Sequence, residues 1–449
     1  MNDAGRAPIL LIDTVDVALN TKGKDDHLRV LLSELAIAGL RTLVASRPGE
    51  ARQLVSLGCR TMRLMEYSDP EFVAAVGAYA RAFVTGGDGF DAEVHATALL
   101  QAAAQGYPIK EICRNPLTLR MLYTIYAPRN INITEIDVVS LYRAFWHRRV
   151  EADIRTDGGA TVPTESDLSH AAMQAAVTML VEGLPEVQLD MLTRELENSS
   201  LNGRDLHALV GRGVLRISDY GVDRRIGFFH QTFFEHAAAI AILRLGKRPA
   251  LDALFERWAK YNGNLFLGAT LERALVLAEL EIMPVRIASE RLLLTLLDHG
   301  PAGLNILAYT YVHRSAVPVV VENRLRDQIA SNDALVIERL LELAANAASA
   351  RRPALIKILG LILDTGNSRW TRSALELLLR FATPDLDMVA GLVRGKGLTQ
   401  FFIDNATFPQ ARDLFIEFLG RYFERDPEWV LDQCALLFID AVRRRADPT

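Results

Sequence analysis

The sequence predicts an α/β opening, up to about residue 68, followed by a mostly α chain. Three observations carry this. Expected strands at 8–12, a continuous apolar run, 41–45 and 60–65 alternate with helical segments at 26–38 and 50–57. After Asp69-Pro70 the apolar residues recur at helical spacing. From residue 249 onward, leucine-rich amphipathic segments dominate.

Residues 8–12, Pro-Ile-Leu-Leu-Ile, end at Asp13 and read as a strand buried on both faces of a parallel sheet. In 26–38, Leu28, Leu31, Leu32 and Leu35 share one helical face, and Gly39 stops the helix. The next strand, 41–45, ends at Ser46-Arg47-Pro48-Gly49. This alternation implies parallel strands with right-handed crossovers. Helices are expected at 70–84, 92–105, 116–127 and 134–154, and 156–164 is a Gly- and Thr-bearing break. Residues 165–248 read as helices at 165–182, 188–198 and 203–212, strands at 213–218 and 224–229, and a helix at 231–245. That order is a winged-helix pattern. Segments 291–298, 336–348, 353–363, 373–382 and 411–423 fall at the spacing of helical repeats and predict an irregular α-solenoid, with the β-branched stretch Ala316–Val321 expected as a loop or extended piece.

Composition narrows the function classes. The 449 residues are half hydrophobic and 23% charged, with a net charge of −5. That balance is globular and offers no general attraction for nucleic acid or an anionic membrane. Cys59, Cys113 and Cys434 lack metal-ligand spacing. No apolar run approaches the ~18 residues of a membrane helix, and Met1–Arg6 is polar, so the expectation is a cytoplasmic protein.

Four motifs suggest chemistry. Leu10-Leu11-Ile12-Asp13-Thr14-Val15-Asp16 places a carboxylate at the end of a strand, where Mg²⁺-bound phosphates are held in P-loop enzymes. Ala45-Ser46-Arg47-Pro48 puts a guanidinium, a bidentate phosphate donor, at the end of the next strand. Arg114-Asn115-Pro116-Leu117 opens a helix with proline in its first turn. The longest is Gly227-Phe228-Phe229-His230-Gln231-Thr232-Phe233-Phe234-Glu235-His236-Ala237-Ala238-Ala239.

Taken in order, these resemble the Walker B, sensor-1, lid and winged-helix signatures of STAND-class nucleotide switches of the NACHT type, over residues 8–245. The resemblance implies a P-loop NTPase core remnant at 1–68, a helical lid at 69–157, a winged-helix domain at 158–248 and helical-repeat sensor domain at 249–449. It implies that Asp13 holds Mg²⁺ through water, Asp16 orients the attacking water, Arg47 reaches the γ-phosphate, and Pro116 packs on adenine. His230 would touch the β-phosphate of ADP and lock the resting state, an imidazole being able to donate to phosphate and gain charge there. Val17 stands where the family tends to have Glu, and His236 and Ala237 replace its usual aromatic pair.

No Gly-x-x-x-x-Gly-Lys-Ser/Thr occurs in the chain, and Thr21-Lys22-Gly23-Lys24-Asp25 lacks both the spacing and the hydroxyl. The expectation is an amino-terminally truncated signalling switch, using ATP/ADP and Mg²⁺ in the intact family but inactive and nucleotide-free alone. Its repeats would bind a protein or ligand trigger, and activation would produce a homo-oligomer. Bacterial relatives of this kind serve in antiphage defence, others in transcriptional or death-like signalling. Two further readings stand beside it: a nucleotide-free helical scaffold for protein partners, and a DNA-binding regulator that uses Arg204 and Arg212 of the helix at 203–212, where Asp205 opposes the charge.

Overall fold

The structure, a computed structural model, describes residues 9–12, 24–45, 54, 59–60, 62, 66–82, 91–104, 109–126, 136, 138–152, 168–220, 223–245, 265–344, 347, 351–382, 385–404 and 409–446. The described residues are mostly helical, with a two-stranded and a three-stranded sheet. The chain divides into two compact units, one of residues 1–65 and 168–274, the other of 66–167 and 275–449.

In the first unit, β1 (Ile9–Ile12) and β2 (Arg41–Val44) pair in parallel, with Ile9 opposite Arg41 and Ile12 opposite Val44. They are joined through α1 (Lys24–Ile37). Gly39, at φ +68°, ends α1 as expected, because that left-handed turn is strained for residues with a Cβ. The apolar run of β1 is not covered on both faces: Ile9 is 66% exposed and Leu11 65%. A small cluster of Leu28 and Leu54, flanked by Ile12, Leu32, Val44 and Cys59, is what this segment buries. Of the strand expected at 60–65, Arg60 and Met62 are described and are not in a strand; the others lie outside the described residues.

The remainder of this unit begins with α7 (Ser169–Glu182), numbered after five helices of the second unit. It continues through β3 (Glu186–Gln188), α8 (Leu189–Asn198), α9 (Gly203–Gly211), β4 (Leu215–Tyr220), β5 (Asp223–Phe228) and α10 (Gln231–Leu245). The sheet order is β3-β5-β4, all antiparallel, with Val187 and Ile217 both opposite Ile226. Gly227 makes the β3 pairing possible, since a Cβ there would lie 2.7 Å from the Pro185 carbonyl oxygen. Asn202 caps α9 by accepting the Arg204 N–H at 2.9 Å. α7 and α10 pack together through small buried side chains, Ala172, Ala175 and Ala176 on one and Ala237, Ala238 and Ala241 on the other. Small residues let two helix backbones approach closely. α11 (Leu265–Leu277) follows and crosses the division between the units.

In the second unit, α2 (Asp69–Ala82), α3 (Ala92–Ala104), α4 (Ile109–Arg114), α5 (Pro116–Tyr126) and α6 (Val138–Trp146) pack consecutively, and α2 also packs on α5. Glu71 reaches back over the entrance of α2, its carboxylate accepting the Ser68 N–H at 2.8 Å and the Ser68 hydroxyl at 2.7 Å. A π-helical turn at His147–Glu151 ends α6.

The other helices of this unit are α12 (Met283–Leu296), α13 (Gly300–His313), α14 (Val319–Ala330), α15 (Ala334–Ala344), α16 (Arg352–Asp364), α17 (Ser368–Phe381), α18 (Leu386–Lys396), α19 (Leu398–Asp404), α20 (Pro409–Tyr422) and α21 (Pro427–Ala446). They stack in two rows. α12, α14, α16 and α18 pack in succession in one row, and α13, α15, α17 and α20 in the other. Each row buries one face of every helix, as with Val321, Leu325 and Ile329 of α14. In the Ala316–Val321 stretch, Pro318 is the N-cap of α14 and three valines enter its first turn. Proline is compatible with a helix entrance, and the packing of Val321 outweighs β-branched propensity.

Two long-range clamps hold the turn between α13 and α14. The Glu279 carboxylate accepts from the Ser315 N–H at 2.9 Å, the Ser315 hydroxyl, and the Ala316 N–H at 3.2 Å. Arg351, at the entrance of α16, donates to the Ser315 carbonyl at 2.9 Å and to the Tyr311 carbonyl.

Candidate functional site

The candidate site is the junction between β5 and α10, which carries the longest motif. Phe228 ends β5, and Phe229 donates its N–H to the Val214 carbonyl at 3.1 Å, fixing the exit of the strand. Phe228, Phe233 and Phe234 are buried, with Phe228–Phe233 and Phe228–Phe234 ring centroids both at 6.0 Å. These rings anchor both sides of the turn, so His230 sits on a rigid platform.

His230 is half-buried at the entrance of α10. Its carbonyl accepts the Phe233 and Phe234 N–H groups, both at 3.1 Å. Its Nδ1 accepts the Thr232 N–H at 3.2 Å and lies 2.8 Å from the Thr232 hydroxyl. With Nδ1 accepting, the neutral imidazole carries its proton on Nε2. The residue therefore caps the helix with its Nδ1. A helix entrance also favours negative charge nearby.

The next turn of α10 holds a buried polar group. Gln231 Nε2 donates to Glu235 at 3.0 Å, and Glu235 pairs with Arg273 of α11 at 3.3 Å. Both partners of the ion pair are largely buried, so removing either leaves a costly charge behind. His236, stacked on Phe233 at 6.0 Å, is buried. Burial, reinforced by Arg273 and Arg244, pushes its pKa down to about 3. It is thus a neutral flat ring at neutral pH.

The other sequence-predicted residues are distributed as follows. Asp13, Asp16 and Arg47 lie outside the described residues. Pro116 opens α5 in the second unit, whereas His230 is in the first. Asn115 caps α5, its side chain accepting the Leu117 N–H at 2.9 Å and its carbonyl the Leu119 N–H at 3.0 Å. Pro116 is exposed. Proline costs no hydrogen bond at this position. Arg114, just before it, pairs with Asp69, and its carbonyl accepts the Tyr67 N–H at 3.1 Å. Arg212, one of the two arginines on which a DNA-facing α9 would draw, is buried.

Sequence reasoning missed the Glu235–Arg273 pair. The i,i+4 spacing of Gln231 and Glu235 was a visible signal for half of it; Arg273 had none. Among the described residues no group of three His, Cys, Asp or Glu side chains is gathered to hold a metal ion, and no helix is long and apolar enough to cross a membrane. No protein-family model matches the chain, and no curated protein matches it either.

Proposed function

We propose that this chain is part of a NACHT-like nucleotide-dependent signalling switch, with His230 as the residue that clasps a nucleotide phosphate in the resting state. The observation that carries the reading is the place of His230, at the entrance of α10 with its Nδ1 capping the helix. A helix entrance favours an anion, and an imidazole placed there suits contact with a phosphate. The order α8, α9, β4, β5 with the small antiparallel sheet supports reading 158–248 as a winged-helix domain. The parallel β1–α1–β2 unit supports a P-loop-type core remnant at 1–68, with Asp13 and Asp16 as the metal and water residues and Arg47 at the γ-phosphate. The exposed ring of Pro116 suits an adenine-facing role in a helical lid at 69–157. The two-row stack supports a solenoid that senses a protein or ligand trigger, within 249–449.

The phosphate-binding loop, which supplies most phosphate contacts in this class, is not among these 449 residues. The proposal is therefore of a regulatory nucleotide site whose ATP/ADP and Mg²⁺ binding is weak in this chain, without measurable ATP hydrolysis. The nucleotide-free scaffold is the rival. The DNA-binding reading draws less support, because burial of Arg212 leaves Arg204 as the arginine of that helix on the surface.

The test is ADP binding to the chain, followed through the His230 imidazole resonances. ADP at on the order of millimolar concentration should shift them. His230→Asn retains a helix cap but removes the Nε2 donor, and it should weaken ADP about ten- to a hundredfold, the equivalent of one charge-assisted hydrogen bond. An unchanged affinity in His230→Asn would make His230 a cap alone. No ADP effect on the native chain would favour the scaffold.

A further inference from the structure

We propose that the turn between α13 and α14 is an anion site that the chain fills with its own Glu279, and that a small soluble phosphate monoester takes its place. The inference does not rest on the nucleotide reading.

The turn gathers its donors on one carboxylate. The Ser315 and Ala316 N–H groups, successive along the backbone, and the Ser315 hydroxyl all donate to Glu279. Two successive N–H groups converging on one anion form a backbone nest. Two arginines belong to the same turn. Arg314 precedes Ser315 in the chain, and Arg351 donates to the Ser315 carbonyl at 2.9 Å. Both are buried, Arg314 at 2% exposure and Arg351 at 9%. Ser315 and Ala316 are exposed and Glu279 is half-buried. A ligand can therefore reach the backbone donors from solvent, while the positive charge is held away from it.

The site has more donors than Glu279 satisfies. Nε and Nη1 of Arg314 and Nε of Arg351 are buried without a hydrogen-bond partner among the described residues. Burial makes both guanidiniums easier to deprotonate than ordinary arginine; Glu279 opposes this in both and is the charge that acts most strongly on Arg314. Its two oxygens, however, are spent on the turn. Buried donors left unmade are costly, charged ones most of all, and such a surplus calls for an acceptor. A phosphate monoester brings three terminal oxygens and close to two negative charges. It can keep the donors of the turn and also take up the guanidinium N–H groups that a carboxylate leaves over.

The neighbouring charges allow an anion here. Glu290 and Arg286 both act on Arg314, with opposite sign. Glu322, which acts on Arg351, is paired with Arg326. Once Glu279 moves aside, the two buried arginines are the charge in excess.

Calorimetric titration of the full chain with phenyl phosphate and with benzoate tests this, and amide exchange locates the binding. Glu279→Ala vacates the site and should bind phenyl phosphate about ten- to a hundredfold more tightly than the native chain. Phenyl phosphate should slow exchange at Ser315 and Ala316 in this variant. Benzoate, with one oxygen and one charge fewer, should bind it about tenfold more weakly. Adding Arg314→Met should abolish the gain. Glu279→Gln, which keeps an acceptor but loses the charge, provides the same comparison if the alanine variant does not fold. Equal phenyl phosphate affinity in the native chain and the Glu279 variants overturns the proposal. So does benzoate binding as tightly as the phosphate, or binding that leaves Ser315 and Ala316 unprotected. No binding by any of these chains at about 10 mM phenyl phosphate overturns it as well, and leaves Glu279 a strut of the turn.

Discussion

The β1–α1–β2 segment and the two-row helical stack use similar apolar residues and obtain opposite results. In the stack, a leucine such as Leu378 is buried between successive helices of its own row and those of the other row. In β1, Ile9 and Leu11 are as apolar but stand about two-thirds exposed. An apolar run specifies that an element forms; what covers it depends on elements elsewhere in the chain. Sequential helices supply each other's cover because each packs on the next but one. A parallel pair of strands has no such local supply, since its cover must come from crossovers and further strands.

The same substitution made in both regions sharpens the contrast most. Leu378→Ala removes a fully buried side chain and should cost about 2–5 kcal/mol of unfolding free energy. Leu11→Ala should change stability by no more than about 0.5 kcal/mol. Denaturant unfolding of the two variants decides it, and equal losses would mean that β1 is covered in solution.

A smaller effect is expected where burial acts on a titratable group. His236 is held neutral with a pKa of about 3, against 6.5 for the unperturbed side chain. Below pH 6.5 the unfolded chain takes up a proton that the folded chain does not. Stability attributable to His236 is therefore complete above that pH and declines as pH falls toward 3. By pH 5 the loss should reach about 2 kcal/mol. His236→Phe should flatten this part of the acid-unfolding profile, and a variant as acid-sensitive as the native chain would place the imidazole in water.

The smallest expected effect is dynamic. Amide exchange along β2, at Thr42 to Val44, should be faster than in α16 or α17, because one parallel ladder with exposed side chains opens at little cost. Protection in β2 equal to that of the stack would break the comparison.

Much of the helical chain was legible from spacing and punctuation. Gly39 ends α1, Asn115-Pro116 opens α5, and the helix expected at 231–245 has those bounds. The misses have physical causes. α4 has six residues, too few for a period to declare itself. β3 has three, and its pairing with β5 depends on a segment about forty positions away. The β-branched Val319–Val321 enters a helix because burial of Val321 decides. At the site, the histidine was visible as a motif. Its ring orientation was not, because that rests on Thr232, and the buried charge behind it rests on Arg273 of another helix.

The clamped turn between α13 and α14 has a mechanical consequence. Glu279 grips it from before α12, and Arg351 grips it from the entrance of α16, so Ser315 in this short turn is tied to segments 36 positions away on either side. Hydrogen bonds of this kind act as struts across three successive hairpins, and both are made largely to backbone groups, which have no rotamers through which to relax. A push on α12 would then be relayed to α16 as a displacement instead of being absorbed as bending in between. That portion of the stack would behave as a lever arm, with its compliance confined to the turns on either side.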